Sequence, residues 1–373
     1  MRNKKKIAIL QNGLYWGGTD TFVINLCKGL DKQKFDITVI NPSSGEGQRE
    51  NEILESGAQI INTFPTVGLK GRLLHLWRLY KILRKGKFDV FHTNIDLFNG
   101  PNLLVAKLAG VPKRICHSHN AQQSKELREG RTLPVRVYQK TMRWLCWNFS
   151  TRKIGCSEYA NDFLYKGKSW RSSKFPTIIN NGINLNKYNL ELNKEDIKNS
   201  NGFKAPYHII TIGHLIEQKN PIFIANLFNK ICERRDDIDL IWVGEGKLKN
   251  KVIKILKEKG NAKRVHFLIK RTDIPELLKF SDIFILPSNF EGLPIVSIEA
   301  QAAGIPALLS STITELANCD GIQYIPIDSG FDEWIKAIDD ILKGDLKLET
   351  DQEKLKKYSV EYMIYQMEKI FES

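Results

Sequence analysis

Long hydrophobic runs are missing from this sequence of 373 residues. No stretch approaches the roughly 18 consecutive apolar residues that a membrane-spanning helix needs. The opening segment MRNKKKIAIL starts like a secretion signal, but its apolar run, Ile7 to Leu10, is shorter than a signal core of about 7–15 residues. We therefore expect a cytoplasmic protein in which a basic tail precedes a first buried strand.

Cysteines are few, and acidic residues are outnumbered by basic ones. The six cysteines are scattered and form no Cys-x-x-Cys pair, so neither a zinc site nor a redox pair is predicted. The 42 Asp and Glu face 56 Lys and Arg, which gives a net charge of +14. Such a surplus suits nucleic acid, an anionic membrane surface or a phosphorylated substrate. Nucleic acid is the weakest of the three, because no zinc-finger or RNP signature is present.

Short apolar runs alternate with helical patterns along the chain, which is typical of parallel α/β layers. Strands are predicted at residues 6–10, 36–41, 89–94, 114–119, 208–214, 239–246, 265–269, 282–288 and 306–310. The length suits two domains. The segment 180–207, rich in Asn, Lys and Gly, is interpreted as the linker between them.

Each half is expected to form its own doubly wound sheet. Two such Rossmann-like domains would face each other across a cleft, with ligands at the carboxyl ends of the strands. We place the first domain at residues 1–186 and the second at residues 187–356. The chain ends in a strong helical pattern, which predicts a final helix; we assign that helix, residues 357–373, to the first domain.

The most informative stretch is NFEGLPIVSIEA, residues 289–300, which follows the apolar run 282–288. It predicts a buried strand, a turn through Gly292, Leu293 and Pro294, and then a helix. The first amides of a helix lack intrahelical acceptors, and with the helix dipole they attract an anion such as phosphate. Gly292 allows the backbone to approach such a ligand closely.

Two glutamates, Glu291 and Glu299, frame the start of this helix. They would lie about 12 Å apart if both were helical, which is too far for one bond-cleaving pair. The spacing suits hydrogen bonds to the two ends of one elongated ligand, a sugar and a ribose with phosphates between. Spacing alone leaves a second interpretation equally open, in which both are solvent-exposed acids that favour the helix dipole.

Glu-x7-Glu after a buried strand resembles the signature of retaining GT-B glycosyltransferases of family 4. Further segments match in the order of that family, at residues 15–30, 111–120, 155–164, 180–184, 212–221, 243–248 and 281–300. The ordered set covers nearly the whole chain. The stretches RICHSHN and GHLIEQKN are most similar to bacterial capsule and exopolysaccharide enzymes.

The resemblance implies a GT-B enzyme with an acceptor-binding first domain and a nucleotide-sugar-binding second domain. It implies transfer of a sugar, with retention, from a uridine-linked diphosphate donor to a glycan acceptor linked to a polyprenyl diphosphate. No metal and no other cofactor would be required. The Asp-x-Asp motif at Asp237 and Asp239 is rejected as a metal site, because it lies at the amino end of its strand.

The resemblance also assigns roles to residues. Lys219 meets the donor diphosphate, although a lysine is more commonly a solvent-facing residue. His119, rather than His117, contacts the donor sugar, and with Glu291 and Lys219 it makes up the catalytic set. His214 stands where the family has arginine, and Arg271 lines the base pocket. The donor-binding set is Gly17, Gly18, His214, Lys219, Arg271, Glu291, Gly292, Leu293, Pro294 and Glu299.

The segment 71–88 predicts an amphipathic helix. Arg78, Lys81 and Lys85 fall together on a helical wheel, and the apolar side chains opposite them are Leu73, Leu76, Trp77, Tyr80 and Leu83. Two interpretations stay open: an ordinary domain helix with a charged outer face, or a peripheral contact with anionic lipid at the inner face of the membrane, helped by residues 140–153.

Two rival functions also stay open. One is a sugar-nucleotide epimerase, which has the same fold and would not release nucleoside diphosphate in response to an acceptor. The other is a non-catalytic protein that binds polyanions or nucleic acid, suggested by the net charge of +14. Binding that is lost entirely by about 200 mM salt would favour this second rival.

Overall fold

The computed structural model describes residues 4–15, 17–43, 45, 47–119, 132–165 and 177–373. Contacts divide the chain into two compact units. The first unit consists of residues 1–182 and 360–373, and the second of residues 183–359. The sequence-based boundaries were residue 186 and residue 357. Each unit is described by itself.

The described residues alternate between strands and helices from one end to the other. Strands are β1 Lys5–Leu10, β2 Phe35–Asn41, β3 Gln59–Asn62, β4 Val90–Thr93, β5 Lys113–Ser118, β6 Arg152–Gly155, β7 Thr177–Ile178, β8 Tyr207–Ile212, β9 Ile238–Val243, β10 Val265–Leu268, β11 Ile283–Leu286, β12 Ala307–Ser310 and β13 Ile322–Ile325. Helices are α1 Gly18–Gly29, α2 Glu50–Glu55, α3 Gly68–Gly86, α4 Asn99–Leu108, α5 Leu133–Phe149, α6 Glu158–Leu164, α7 Lys194–Asn201, α8 Pro221–Cys232, α9 Lys249–Glu258, α10 Ile274–Phe280, α11 Ile295–Ala302, α12 Asp332–Lys343, α13 Gln352–Lys356 and α14 Val360–Glu372.

The first unit is built on a parallel sheet with strand order β3-β2-β1-β4-β5-β6-β7. Its central strand is buried on both faces, which explains the continuous apolar run in the sequence. Ile7 and Ile9 pack on one side with α1 and α14. Ala8 and Leu10 pack on the other side with α3 and α4. The sheet therefore carries a helical layer on each face.

The second unit repeats this plan with the parallel order β10-β9-β8-β11-β12-β13. Ile210 and Phe284 lie in one core cluster, and their neighbours Ile209 and Ile285 lie in the cluster on the other face. The strand order reverses between β8 and β11, as it does between β1 and β4 in the first unit. Ligands of doubly wound sheets bind at such switch points, outside the carboxyl ends of the strands.

The predicted α/β fold is confirmed, and every predicted strand is present with no end shifted by more than three residues. The prediction missed β3, β6, β7 and β13. β3 is a short, half-exposed edge strand, β6 begins with Arg-Lys, and β7 has only two residues, so none of the three carries a buried apolar run. In β13, with the sequence IQYI, only the end residues are buried.

The predicted linker was wrong in part. Most of residues 180–207 belongs to the second unit, which begins at Ile183. This stretch contains α7 and a 3-10 helix at Leu185–Tyr188, and Tyr188 is buried in the core. The many Asn and Lys residues indicated a loop, whereas a few apolar side chains were enough to attach the segment to the domain.

The helix predicted at residues 71–88 is present as α3, but the side that it packs inwards differs from the predicted apolar side. The side chains that α3 buries are His75, Leu79 and Leu83. Leu73, Trp77 and Tyr80, expected on the side opposite the basic residues, are exposed. Among the described residues, no helix is both long and apolar enough to cross a membrane.

The final helix α14 holds the first unit together from the end of the chain. Its Met363, Met367 and Phe371 are buried, and the Phe371 ring lies 6.0 Å from that of Phe35.

We expect Phe371→Ala to lower the free energy of unfolding by about 3–5 kcal/mol, because the cavity left by the removed ring cannot close fully. Urea denaturation measures this change. Tyr365→Ala, on the exposed side of the same helix, should change it by less than about 0.5 kcal/mol. Equal effects would show that α14 does not pack as described.

Candidate active site

The loops that follow β8 and β11 lie side by side, because these two strands are neighbours in the second sheet. Asn289 ties them together: its amide donates to the carbonyl of Gln218 at 2.8 Å, and its side chain donates to the carbonyl of Glu217 at 2.6 Å. Residues about 70 positions apart in sequence are thus fixed at the carboxyl edge of the sheet, where a ligand is expected.

Two of the predicted catalytic residues meet in these loops. The Lys219 ammonium forms an ion pair with the Glu291 carboxylate at 2.6 Å, and the two side chains are only 20% and 8% exposed. Gln218 donates to the other carboxylate oxygen at 3.4 Å. Removal from water strengthens such a pair relative to a surface pair. Lys219 is therefore positioned by Glu291.

Glycine backbones allow the loops after β8 and β9 to pack against each other. A Cβ on Gly244 would lie 2.0 Å from the carbonyl oxygen of Gly213, and one on Gly246 would lie 2.5 Å from that of Leu215. A Cβ on Gly213 would lie 3.2 Å from Cε of Lys219. The missing side chains thus leave room for a close backbone contact and for the aliphatic stem of the lysine.

The imidazole of His214 is exposed and bonds to the loop after β9. Its Nδ1 lies 3.1 Å from the carbonyl oxygen of Glu245, so Nδ1–H donates and the proton of the neutral ring is held on that nitrogen. The exposed Nε2 then carries a lone pair. That nitrogen is a hydrogen-bond acceptor, whereas an arginine at this position would present only donors.

The helix α11 begins at Ile295, with Pro294 in the preceding cap position. The predicted turn through Gly292, Leu293 and Pro294 followed by a helix is therefore confirmed. The helical spacing of about 12 Å does not apply, because Glu291 lies in the loop. Within the described part of the chain, the first two amides of α11 have no hydrogen-bond acceptor. They are available to an anion.

Glu299 lies inside the second turn of α11 and is largely shielded from water. Burial raises the pKa of its carboxyl group, whereas a hydrogen bond from the Tyr188 hydroxyl and the charge of Lys187 act in the opposite direction. Neither Glu299 nor Glu291 is thus a solvent-exposed acid, so that interpretation of the pair was wrong. Tyr188 comes from the segment that the sequence suggested to be a linker.

Arg271 does not extend freely into a pocket. Its guanidinium holds Asp273 through two nitrogens, one of them 2.6 Å from the carboxylate, and donates to Asn201 at 2.9 Å. These bonds hold the loop after β10 to the end of α7. Contact between Arg271 and a nucleotide base stays a prediction and would require part of this network to open.

In the first unit, His119 follows the end of β5 and is held at both backbone and ring. Its amide donates to Asp96 at 3.2 Å, and its Nε2 lies 2.9 Å from Oδ1 of Asn94. The Asn94 amide group donates to the carbonyl of Leu10, which leaves Oδ1 as the acceptor. Nε2 of His119 therefore donates, and its buried Nδ1, which has no partner in the described structure, keeps a lone pair.

His119 belongs to a buried array of three imidazoles. The Nε2 atom of His92 lies 3.1 Å from Nδ1 of His117, and the rings of His117 and His119 are 3.8 Å apart. Phe22 contacts all three rings edge-on. Burial lowers the pKa of His92 and of His119 to about 3, and that of His117 well below its usual range. The array is therefore uncharged at neutral pH.

Gly17 and Gly18 open α1. The Gly17 amide donates to Asp20 at 3.2 Å, and the other oxygen of this buried carboxylate accepts a bond from Gln11 at 2.7 Å. A Cβ on Gly17 would lie 2.9 Å from the Asp20 carboxylate, whereas one on Gly18 would approach only Asn181, at 3.7 Å. Asp20 thus caps the helix and holds the glycine turn in place.

The rejected Asp-x-Asp motif is occupied by protein partners. Asp237 pairs with Arg235 at 2.7 Å, and Asp239 pairs with His266 at 3.0 Å and with Arg264. Among the described residues, no group of three or more His, Cys, Asp or Glu side chains is arranged to hold a metal ion. Independence from metal stays a prediction.

Several residues that shape the site were not found from the sequence. They are Gln218 and Asn289, which join the two loops, Asn94, which orients His119, Asp20, which caps α1, and Tyr188, which bonds to Glu299. The strand-loop positions of Asn94 and Gln218 offered a weak signal, since polar residues that follow buried strands tend to line sites. Tyr188 gave no signal at all.

Family models match both units. The model "Glycosyltransferase Family 4" matches residues 16–187, and "Glycosyl transferases group 1" matches residues 193–361. The fold and these matches define an enzyme of the glycosyltransferase class. More particularly, the chain belongs to the family 4 glycosyltransferases of the GT-B fold.

Two bacterial relatives support this assignment, and one solved structure shares the fold. The chain is 30% identical to the "Putative glycosyltransferase EpsF" of Bacillus subtilis (strain 168). The match covers 84% of this chain and 81% of that protein. The chain is 29% identical to the Escherichia coli "UDP-Gal:alpha-D-GlcNAc-diphosphoundecaprenol alpha-1,3-galactosyltransferase", over 91% and 89%. The structure of Anabaena HepE in complex with UDP has a TM-score of 0.80 at 16% identity and covers 99% of both chains.

The neutral histidine array predicts acid sensitivity. An unfolded histidine takes up a proton near pH 6.5, whereas folded His92 and His119 stay neutral until about pH 3. The free energy of unfolding should therefore be fully present above pH 6.5 and fall as the pH drops towards 3. Urea midpoints at pH 7, 6 and 5 measure this loss. In His92→Leu the urea midpoint should depend less on pH than in the wild type, whereas in His214→Asn, an exposed control, it should depend on pH as in the wild type. The same pH dependence in the wild type and both variants would contradict the prediction.

Proposed function

We propose that this glycosyltransferase moves a sugar from a uridine diphosphate donor to a lipid-linked glycan in capsule or exopolysaccharide synthesis, with retention of the anomeric configuration. It would work in the cytoplasm at the inner face of the membrane. The galactosyltransferase relative, whose name contains UDP-Gal and a diphosphoundecaprenol acceptor, supports the choice of donor and acceptor. The donor sugar and the bond that is formed are left open.

One observation carries the proposal. The Lys219–Glu291 ion pair lies in the loops after β8 and β11, and Glu291 comes shortly before the open amides at the start of α11. A diphosphate bound at this edge would take the place of the Glu291 carboxylate beside Lys219, because it carries more negative charge than the carboxylate. Lys219 and the helix amides would then meet the phosphates, and Glu291 would be released to accept a hydrogen bond from a sugar hydroxyl.

This arrangement supports catalysis by stabilising the leaving group. As the bond between the anomeric carbon and the phosphate oxygen breaks, negative charge grows on the diphosphate, where Lys219 and the α11 amides can stabilise it. In the proposed front-face reaction, the acceptor hydroxyl attacks from the side that the diphosphate leaves. Its proton passes to a donor phosphate oxygen, so no protein base is needed.

Two further residues bind rather than react. Glu299 is proposed to accept a hydrogen bond from the ribose, beside the one that its buried carboxylate already accepts from the Tyr188 hydroxyl. His119 is proposed to accept a hydrogen bond from a sugar hydroxyl at its unpartnered Nδ1. Because its pKa is lowered to about 3, His119 acts as a neutral acceptor and not as a cation.

The rival functions are less well supported. The two relatives described above are named as glycosyltransferases, and this chain matches most of the length of each. Neither is named as an epimerase or as a nucleic-acid-binding protein.

Incubation of the protein with UDP-sugars tests the proposal directly. Release of UDP that depends on a diphospholipid-linked acceptor is the expected result. Conversion of the donor to its epimer without release of UDP would replace the proposal by the epimerase.

The choice of nucleotide is tested by thermal shift with UDP-, GDP- and ADP-sugars. A ligand that binds only the folded chain at 100 times its Kd adds about 2.7 kcal/mol of stability. We expect the largest rise in Tm with a UDP-sugar. An equal rise with all three donors, or the largest rise with a GDP-sugar, would contradict the uridine assignment.

Variants of the ion pair separate binding from catalysis. Glu291→Gln should nearly abolish transfer and still bind UDP, because it removes the contact to the sugar and frees Lys219 for the diphosphate. Lys219→Ala should reduce turnover more than Lys219→Arg, which keeps the positive charge. Glu299→Ala should weaken donor binding by about 1–3 kcal/mol. Steady-state kinetics and UDP calorimetry measure these effects.

Glu217→Gln is the matched control, because Glu217 is an exposed acid of the same loop whose side chain has no partner in the described structure. It should behave like the wild type in both assays. Wild-type kinetics for Glu291→Gln and Glu299→Ala as well would show that the two glutamates do not contact the donor.

The proposed mechanism uses no metal ion. We therefore expect the rate of sugar transfer to be unchanged in the presence of EDTA, because Lys219 and the helix amides supply the positive charge that a divalent cation would otherwise provide. A strict requirement for manganese would overturn this part of the proposal and would return attention to Asp237 and Asp239.

A further inference from the structure

A groove with a volume of about 580 Å³ lies in the first unit, away from the candidate site residues. It is formed by the amino ends of β1 and β2, the edge strand β3 and the last turns of α3. His119, in contrast, follows the carboxyl end of β5. In a parallel sheet the two ends of the strands lie at opposite edges, so this groove is separate from the candidate site. The residues that line it are Lys6, Asp36, Thr38, Gln59, Ile61, Arg78, Lys81, Ile82, Lys85, Gly86 and Phe88.

The charge of the groove is strongly unbalanced. Four of its side chains are cationic, Lys6, Arg78, Lys81 and Lys85, and only Asp36 is acidic. Within the described part of the chain, none of the four cations forms an ion pair with a carboxylate. Cations gathered in one groove attract a counter-ion, and guanidinium and ammonium groups are the usual partners of phosphate.

The mouth of the groove adjoins an apolar strip on α3. Leu69, Leu73 and Trp77 are spaced four residues apart on this helix and are 75%, 58% and 52% exposed. The Lys81 ammonium, which lines the groove, lies 3.6 Å from the centre of the Trp77 ring. Cationic and apolar surfaces thus meet at one point, as they do in helices that lie in a membrane interface.

The neighbouring helix α5 extends this surface. The Arg72 guanidinium on α3 lies 6.0 Å from the ring of Tyr138 on α5, and α5 exposes Val137 and Trp144. The two helices together carry nine Lys and Arg residues and no acidic residue: Lys70, Arg72, Arg78, Lys81, Arg84, Lys85, Arg136, Lys140 and Arg143. A purely soluble charged face would mix both signs, whereas this surface is complementary to a negatively charged one.

We propose that the groove binds the phosphate of an anionic phospholipid headgroup while the exposed strip of α3 enters the lipid. Lys6, Arg78, Lys81 and Lys85 would surround the phosphate, and Gln59 would supply a neutral hydrogen-bonding group. The adjoining apolar strip favours a lipid over a free phosphate or a nucleic acid, since neither of those would cover Leu73 and Trp77. The biological purpose rests on the proposed function, because a lipid-linked acceptor lies in such a membrane.

Vesicle co-sedimentation tests the groove against general charge attraction. Wild-type protein should bind phosphatidylcholine vesicles that contain phosphatidylglycerol, and bind much less to vesicles of phosphatidylcholine alone. Arg78→Gln and Lys85→Gln should each weaken binding about fivefold. Lys70→Gln and Arg84→Gln remove the same charge from the same helix but lie outside the groove, and should weaken binding less than about twofold. Equal losses in all four variants would overturn the groove as a site.

A second matched pair leaves α3 unchanged. Gln59→Glu places a carboxylate in the groove, and Gln33→Glu adds the same charge at an exposed position outside it. Gln59→Glu should weaken binding to phosphatidylglycerol vesicles at least fivefold, and Gln33→Glu should have little effect. Both residues are exposed, so the variants should fold, and unchanged Tm values would establish that. Similar binding of the two variants would contradict the proposal.

The source of the phosphate is decided by soluble probes. Inorganic phosphate and glycerol 1-phosphate should compete only weakly with vesicles. If these soluble phosphates bind in the groove and the protein does not bind vesicles, the lipid assignment is wrong and the groove is a soluble-phosphate site. Thermal shift with a UDP-sugar keeps this outcome apart from the proposed function: Arg78→Gln should retain the shift given by the donor. Loss of the donor shift in the wild type would refute the donor assignment and leave the vesicle result standing.

Discussion

The site in the second unit depends on the close contact of loops at the carboxyl edge of the sheet. Gly213 and Gly244 bring two backbones together with no room for a Cβ, and Asn289 fastens the loop after β11 to the loop after β8. These contacts bring Lys219 and Glu291 together as an ion pair at 2.6 Å. A ligand anion would compete with a carboxylate that is already held in position, which makes binding an exchange of partners.

The two units prepare their polar groups in different ways. The second keeps a charge pair together and leaves helix amides open, so its chemistry favours an anion. The first buries three histidines without a charged partner, and burial keeps them neutral. A neutral imidazole with a free lone pair suits a hydroxyl group, and its low pKa prevents it from competing for protons. The cost of the unpartnered nitrogens is consistent with a position reserved for a ligand.

The outer face of the first unit adds a separate constraint. Its helices α3 and α5 retain exposed aromatic and aliphatic side chains that the fold does not need for its core. Both helices lack acidic residues, so a membrane with negative charge would bind them through charge and through apolar area together. This surface also explains part of the net charge of +14, which a soluble nucleotide-sugar donor by itself does not require.

The amino-acid order by itself determined the alternation of strands and helices, because buried parallel strands require continuous apolar runs, and it indicated Glu291, Glu299, Lys219 and His119 through a family resemblance. Local patterns did not reveal the partners of those residues. The Lys219–Glu291 pair joins positions 72 residues apart, and Tyr188 reaches Glu299 from a segment that looked like a linker. The exposed side of α3 was misjudged for the same reason: a helical wheel gives the faces of a helix, but only packing against β1 and α4 decides that His75, Leu79 and Leu83 face inwards and that Trp77 faces outwards.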